Sequence, residues 1–428
     1  MAFRNLFRNS KRTVATAAAV IAGFVGLLLL GGYIYRVEIS LRTNSIYLFN
    51  KGHITVFKNQ GLERFGTNPA KYQILPQELE GLKQVLEQKA DNIDWVGQTL
   101  TGAGLISNGD RSMPFLATGI DLLTLQKSFK NEMVKKWALD FLVPGTLKFV
   151  DAVEKDLQSI SITPRLAEYL KKPMPFANLQ LEDQYVQLMG MTQYSDMNAV
   201  DGRLAVNHTT GSEMLEDSGL LSSVNLLQDL YALEGIHYAM IYLKPDVNRN
   251  EMLQFVRDEI KNKNLPLEAF PFDHPSISPN YVGSMGFLYV MSGFFIFLIC
   301  GAVALSIMNS LTMGIIERTR EIGTFRALGF SQKQISWMMT QESIWLCFFS
   351  SLLGGVLAFV VSAAVNAANI RFTPPGVVNS IQFILTPNLS LALIVFFVFL
   401  AIVSITAYLV TFYKMKTKII NLLSDAGA

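Results

Sequence analysis

The sequence predicts a membrane protein with four transmembrane α-helices, one N-terminal and three C-terminal, plus a large α+β periplasmic domain with an inserted subdomain. Three observations predict it. Half of the 428 residues are hydrophobic and only 16% are charged, against about 25% in an ordinary soluble domain. Four stretches reach the roughly 20 apolar residues that an α-helix needs to cross the hydrocarbon core. Between the first and second lie about 250 residues with no such stretch, enough for a folded domain.

The spans are placed at 13–35, 284–313, 335–366 and 387–412. The first, TVATAAAVIAGFVGLLLLGGYIY, is longer than the roughly 7–15 apolar residues of a signal peptide, and no small-x-small cleavage site follows it. It therefore reads as a retained helix. The two cysteines, Cys300 and Cys347, fall inside spans and read as packing residues. Glycines in the first span (Gly23, Gly26, Gly31, Gly32) and third span (Gly354, Gly355) suit close helix approach.

Orientation follows from Lys and Arg near the span ends. Arg4, Arg8, Lys11 and Arg12 precede the first span; Arg318, Arg320, Arg326 and Lys333 lie between the second and third; Lys414, Lys416 and Lys418 follow the fourth. The loop at 367–386 has only Arg371. This asymmetry puts the tails, 1–12 and 413–428, in the cytoplasm and residues 36–283 outside. The outer segment has 24 Lys+Arg against 30 Asp+Glu, and the rest of the chain 12 against 4. The basic part is a topology signal, and no nucleic-acid partner is expected.

Within the outer segment, RVEISLRTNSIYLF continues the first helix as a stalk, and its apolar residues Ile39, Leu41, Ile46, Leu48 and Phe49 suit either a lipid-accessible entry or the root of the domain. GHITVF alternates like a strand, PQELEGLKQVLEQK reads as a helix opened by Pro76, and DWVGQTLTGAGLIS and RSMPFLATGI read as strands. The order returns near the far end in HYAMIYLK, RNEMLQFVRDEIKNK and LPLEAFPF. Two such units around a middle region predict a core at 36–126 and 230–283 with an insertion at 127–229.

No catalytic constellation emerges. The chain contains no Gly-Lys dipeptide, so it has no phosphate-binding P-loop. His53, His208, His237 and His274 are scattered, without the spacing of zinc ligands, and read as surface or structural residues. TGAGLISNGD lacks the third glycine of a dinucleotide loop and reads as a turn between strands. No metal, no cofactor and no enzymatic activity are expected on this chain.

The loop at 314–334, GIIERTREIGTFRALGFSQKQ, carries more than topology charge. Ile322, Phe325 and Leu328 recur at i, i+3, i+6 and predict an exposed apolar stripe on a short helix. Gly329 and Ser331 supply a helix stop and a fresh N-cap. Glu342, about seven residues into the third span, is a candidate intramembrane polar site; pairing with a basic residue of the loop is favoured over a role in transport.

ERTREIGTFRALGFS resembles the cytoplasmic signature of FtsX-like permeases of ABC transporters, the superfamily that includes MacB and the lipoprotein-releasing LolC and LolE. GHITVF, GAGLISNGDRSMPFLATGID and VQLMGM with MNAVDGRL are similar to the LolC/LolE side, as is TPPG at Thr373–Gly376. The resemblance implies that the loop is a coupling helix, with Glu317, Arg318, Arg320, Glu321, Ile322, Phe325, Arg326, Leu328 and Gly329 as the contact to an ATPase. It implies two copies of a cytoplasmic ABC ATPase that bind ATP and Mg, and a second permease, identical or homologous. The setting is the bacterial inner membrane, and the cargo a lipoprotein or other lipid-anchored molecule. MacB-like efflux with a periplasmic adaptor and FtsX-like regulation of a cell-wall hydrolase are the rival functions.

Overall fold

The computed structural model describes residues 10–138, 143–374 and 376–414. Most of both tails, with Arg4, Arg8, Lys416 and Lys418, and Pro375 of TPPG lie outside the described residues. The chain divides into two compact units, a helical one (1–37, 286–370 and 382–428) and a mixed α/β one (38–285 and 371–381).

Among the described residues, four helices are long and apolar enough to cross a membrane: Ser10–Thr43, Pro279–Glu317, Gln332–Ala367 and Leu389–Lys414. At 39 residues the second is about 58 Å long, well beyond the roughly 30 Å hydrocarbon core. Val20, Phe24, Leu28, Val303, Phe399 and Val403 lead a shared apolar core within the helical unit. Cys347 is buried in the same core. Glycine earns its place at Gly32, where an added Cβ would lie 2.7 Å from the backbone nitrogen of Pro387. Gly26 and Gly355 do not share this role, since a Cβ at either would meet nothing closer than 3.7 Å.

Local sequence sets the elements of the α/β unit. In helix Pro76–Glu87 proline takes the first turn, where its missing N–H costs nothing. Glu78 accepts the Leu75 N–H at 2.8 Å, and Leu79, Leu82, Val85 and Leu86 make the buried face. Helix Arg249–Asn262 starts at Asn248, whose side chain accepts the Asn250 N–H at 3.1 Å, and buries Met252, Leu253, Val256 and Ile260. Its strands are β1 (Ile54–Lys58), β2 (Ile93–Ser107), β3 (Ser112–Ile120), β4 (Ser159–Ile162), β5 (Tyr185–Met191), β6 (Met197–Asn207), β7 (Gly219–Ser223), β8 (Tyr238–Leu243) and β9 (Leu267–Pro271). Of TGAGLISNGD, expected as a turn, the first seven residues belong to β2 and only Asn108–Arg111 connect it to β3, with Gly109 at φ +95°.

All nine strands share one sheet, in the order β3-β7-β4-β6-β5-β2-β8-β1-β9. The 15-residue β2 is its organiser. Residues Ile93–Thr99 pair with β8, whereas Thr99–Ser107 pair with β3 and Leu105–Ser107 also with β5. Because β3 also pairs with β7, the strands β2, β3, β7, β4, β6 and β5 close into a ring. The boundaries expected at 127 and 229 therefore do not separate two sheets. β4 to β7 are joined to the core strands through β5 on β2 and β7 on β3, and β2 is long enough to serve different partners along its length.

Strand β8 shows why its sequence is apolar throughout. Ala239, Ile241 and Leu243 enter one core with Val56, Leu100 and Ile106. Tyr238, Met240 and Tyr242 enter a second with Tyr47, Trp95 and Phe149. Successive side chains point to opposite faces, so the two cores lie on opposite sides of the strand. Trp95 stacks on Tyr242 at 4.0 Å between centroids.

Three of the four histidines serve this interior. His53 Nδ1 accepts the Leu243 N–H at 3.1 Å, and His237 Nδ1 accepts the Thr101 N–H at 3.2 Å. His208 Nδ1 lies 2.9 Å from Ser161 Oγ. Burial disfavours the charged imidazolium and pulls His208 down to about 3 and His237 to about 4.

Candidate coupling site

Arg318 breaks the second membrane helix: its backbone, at φ −108° and ψ 19°, leaves the α-region between Glu317 and the short helix Thr319–Ala327. Thr319 Oγ1 donates back to the Ile315 carbonyl at 3.0 Å. The short helix then ends in a Schellman motif. Gly329 takes φ +93°, its N–H donates to Arg326 O at 3.1 Å, and the Phe330 N–H donates to Phe325 O at 3.1 Å. The hydrophobic contact that accompanies this motif is Phe325 on Phe330, with ring centroids 5.6 Å apart.

Ser331 starts the third membrane helix with a capping box. Its N–H donates to Gln334 Oε1 at 2.8 Å and its Oγ accepts the Gln334 N–H at 3.3 Å. Gln332 Nε2 donates to the Phe412 carbonyl of the fourth helix at 2.6 Å. Turn and cap are thus locked by side chains that the local sequence supplies.

A small core fastens the short helix to its neighbours. Ile322 is buried with Ile315 of the second membrane helix and Ile335 and Met339 of the third, and Phe325 packs against them. The expected exposed stripe is corrected here: Ile322 is 4% exposed and Leu328 72%. Helical residues advance by about 100° each, so positions i and i+6 stand about 120° apart around the axis. Moreover, the helix ends at Ala327, which leaves Leu328 outside it.

Arg318 is the second fastening. Its Nη1 donates to both carboxylate oxygens of Glu342, at 3.1 and 3.3 Å, and both side chains are largely shielded from solvent. An ionised group among apolar helices is retained when a partner compensates it, and Glu342 has that partner.

The nine residues nominated by resemblance thus divide. Glu317, Arg320, Glu321, Leu328 and Gly329 are exposed, while Arg318, Ile322, Phe325 and Arg326 are wholly or partly covered within the chain. Phe330, absent from the nominated set, is 48% exposed beside Leu328. Its signal was available: a Gly at the helix stop calls for an apolar residue immediately after it. The surface presented is an apolar tip, Leu328 and Phe330, after the end of the short helix, with exposed Arg320 and Glu321 in its first turn.

Residues 293–418 match the family described as FtsX-like permease C-terminal. The match covers most of the second membrane helix, the short helix, and the third and fourth membrane helices. The ABC transporter permease YtrF of Bacillus subtilis is 34% identical over 96 residues, 22% of this chain and 22% of the relative. The pyoverdine export ATP-binding/permease protein PvdT of Pseudomonas putida is 37% identical over 78 residues, 18% of this chain and 12% of the relative. An uncharacterized ABC transporter permease of Methanocaldococcus jannaschii, MJ1507, is 25% identical over 158 residues, 36% of this chain and 38% of the relative. The aligned stretches thus span well under half of these relatives. Among solved structures, the periplasmic region of MacB from Actinobacillus actinomycetemcomitans aligns with a TM-score of 0.34 at 15% identity, over 51% of this chain and 88% of that one. The extracellular domain of the transporter YknZ from Gram-positive bacteria aligns with a TM-score of 0.33 at 14% identity, over 51% of this chain and 98% of that one. The short helix Thr319–Ala327, its Schellman turn and the Arg318–Glu342 pair all lie inside the matched residues.

Proposed function

We propose that this chain is the membrane subunit of an ABC transporter of the FtsX/MacB type, which works on lipid-anchored cargo outside the cytoplasm. The observation that carries the reading is the rigid tip of Leu328 and Phe330 inside the FtsX-like domain, held by the Schellman turn, the Ile322 core and the Arg318–Glu342 pair. A tip fastened to two membrane helices passes a push on to them instead of bending. In this reading the push comes from a separate ATPase that binds ATP and Mg, as in the permeases whose signature ERTREIGTFRALGFS resembles. Two copies of that ATPase would serve a pair of permeases, with the short helix in the cytoplasm and the α/β unit in the periplasm of the inner membrane. The resemblance of GAGLISNGDRSMPFLATGID and VQLMGM to LolC/LolE-like chains favours lipoprotein release as the work done.

Mass spectrometry of everything that co-purifies with the protein from its native membrane tests this. An ABC ATPase retained together with acylated lipoproteins is the expected result. An adaptor protein in their place turns the reading to export, which the named activity of the Pseudomonas relative would fit. A retained cell-wall hydrolase turns it to regulation, and the lack of any ATPase overturns it.

A further inference from the structure

The α/β unit contains a chamber of about 310 Å³ that the coupling mechanism leaves unused. Its apolar walls are Leu41, Leu48, Phe49, Leu215, Leu221 and Ile277. A second cavity, of about 410 Å³, shares Thr118, His208, Thr210, Leu215 and Leu221 with it. The two form one groove, each part within the roughly 300–1,000 Å³ of small-molecule sites.

One wall is built so that it does not collapse into the space. The nearly fully buried Glu216 carboxylate accepts Thr209 Oγ1 at 2.7 Å, the Thr210 N–H at 2.6 Å and Thr210 Oγ1 at 2.8 Å. Thr163 Oγ1 holds the Glu216 carbonyl at 2.6 Å. Leu215, at the crest of this loop, is 41% exposed, and Phe49 opposite is 43% exposed. Large apolar side chains are thus held in contact with water on both sides of the groove, at a standing cost that an apolar occupant would remove.

Charge and chain position narrow the occupant. Lys51 is the one ionised side chain on the first chamber's walls, which carry no carboxylate; its ammonium is 3.2 Å from Tyr238 Oη and 4.9 Å from that ring's centre. A hydrophobic tail with a neutral or anionic head suits such a lining, and a cation does not. The walls at 41–51 and 277–281 are the continuations of the first two membrane helices. About 20 residues suffice to cross the bilayer, and the first candidate span extends 36 residues from Thr13 to Leu48. Counted from Thr13, Leu41 and Leu48 fall past the roughly 20 residues that cross the hydrocarbon, where a hydrophobic tail arrives only after leaving the leaflet.

We infer that this groove holds a fatty-acyl chain withdrawn from the membrane. The chamber itself carries the inference, which rests on the lipid-anchored-cargo reading only for the source of the chain.

The test uses the full-length protein in phospholipid vesicles that contain either a phospholipid or a tripalmitoylated lipopeptide with a photoactivatable diazirine in one acyl chain. Labelled peptides are then mapped by mass spectrometry. Label is expected at 41–51, 209–221 and 277–281 as well as along the membrane helices. Filling the groove with Leu215→Trp, or with Phe49→Trp from the opposite wall, should cut the groove label at least about fivefold, the equivalent of roughly 1 kcal/mol, and leave the helix label unchanged. Met214→Trp, at a side chain 89% exposed and outside the groove lining, should change neither. Label from the lipopeptide supports both the groove and the cargo reading. Label from the phospholipid alone supports the groove and removes the lipoprotein as its source. Label confined to the membrane helices with both probes, or groove label that persists when both filling variants melt as the parent does, overturns the groove, whereas the cargo reading stands or falls on the co-purification.

Discussion

The two units handle buried polarity differently. The α/β unit buries neutral imidazoles held at Nδ1 by a backbone N–H or a hydroxyl group, at His237 and His208, and a Glu216 carboxylate held by threonine donors. The helical unit instead shields an ion pair, Arg318–Glu342, at the root of its short helix. A neutral interior group fixes one arrangement and carries no net charge to be balanced. A shielded ion pair holds two elements firmly together, and exposes a large penalty if they separate. The difference matches a unit built to keep its shape and a unit built to carry load between helices.

The hardest break is removal of one member of the pair. Glu342→Leu leaves Arg318 shielded without its carboxylate and should cost about 3 kcal/mol, read as a lowered melting temperature of the detergent-solubilised protein. The double variant Arg318→Leu/Glu342→Leu should recover most of that loss; if it melts as low as the single variant, the pair is not what holds the short helix.

Acid attacks the other unit. His208 and His237 sit well below the ordinary imidazole value in the folded state, so the unfolded chain binds more protons between about pH 6.5 and 4. Their stabilisation is complete above about pH 6.5 and is lost as pH falls toward 4 and then 3. For His208 this is on the order of 5 kcal/mol in all, about 3 of it lost by pH 4. Melts from pH 7 to pH 4 should show the α/β unit weakening over that window, with a shallower slope in His208→Gln. An unchanged slope would place the acid sensitivity elsewhere.

The exposed tip sharpens the comparison, because it should bind without supporting the fold. Leu328→Asp is expected to weaken ATPase retention by about 30-fold, near 2 kcal/mol, with the melting temperature unchanged. Retention at parental levels would remove Leu328 from the contact. Smallest is Gly329→Ala, which places a Cβ at φ +93° and should cost about 1 kcal/mol, visible as faster proteolysis at 328–331.

Local chemistry was readable in advance; long-range pairing was not. Ser331 and Gly329 announce a cap and a stop because their partners, Gln334, Arg326 and Phe325, lie within a few residues. Pro76 and Asn248 do the same for their helices. The ring was hidden because β2 alternates like any strand, and nothing in IDWVGQTLTGAGLIS tells that its two halves serve different partners. The apolar stripe misled for a geometric reason, since a step of three residues drifts around a helix. Arg318 was readable as a basic residue and Glu342 as an intramembrane acid, but not as partners across 24 positions.

The dual pairing of β2 has a consequence for how the chain is made. Leu105 waits for Met189, Leu116 of β3 waits for Gly219, and Val96 waits for Ile241. Contacts between residues this distant in sequence form slowly, and a lone β2 presents unpaired backbone along nearly 50 Å of strand. The ring therefore cannot close until β7 has been made, and the Ile93–Thr99 half of β2 stays unpaired until β8 follows. Assembly of the α/β unit is then completed late, and a chain interrupted before residue 238 leaves that half of β2 as a sticky edge.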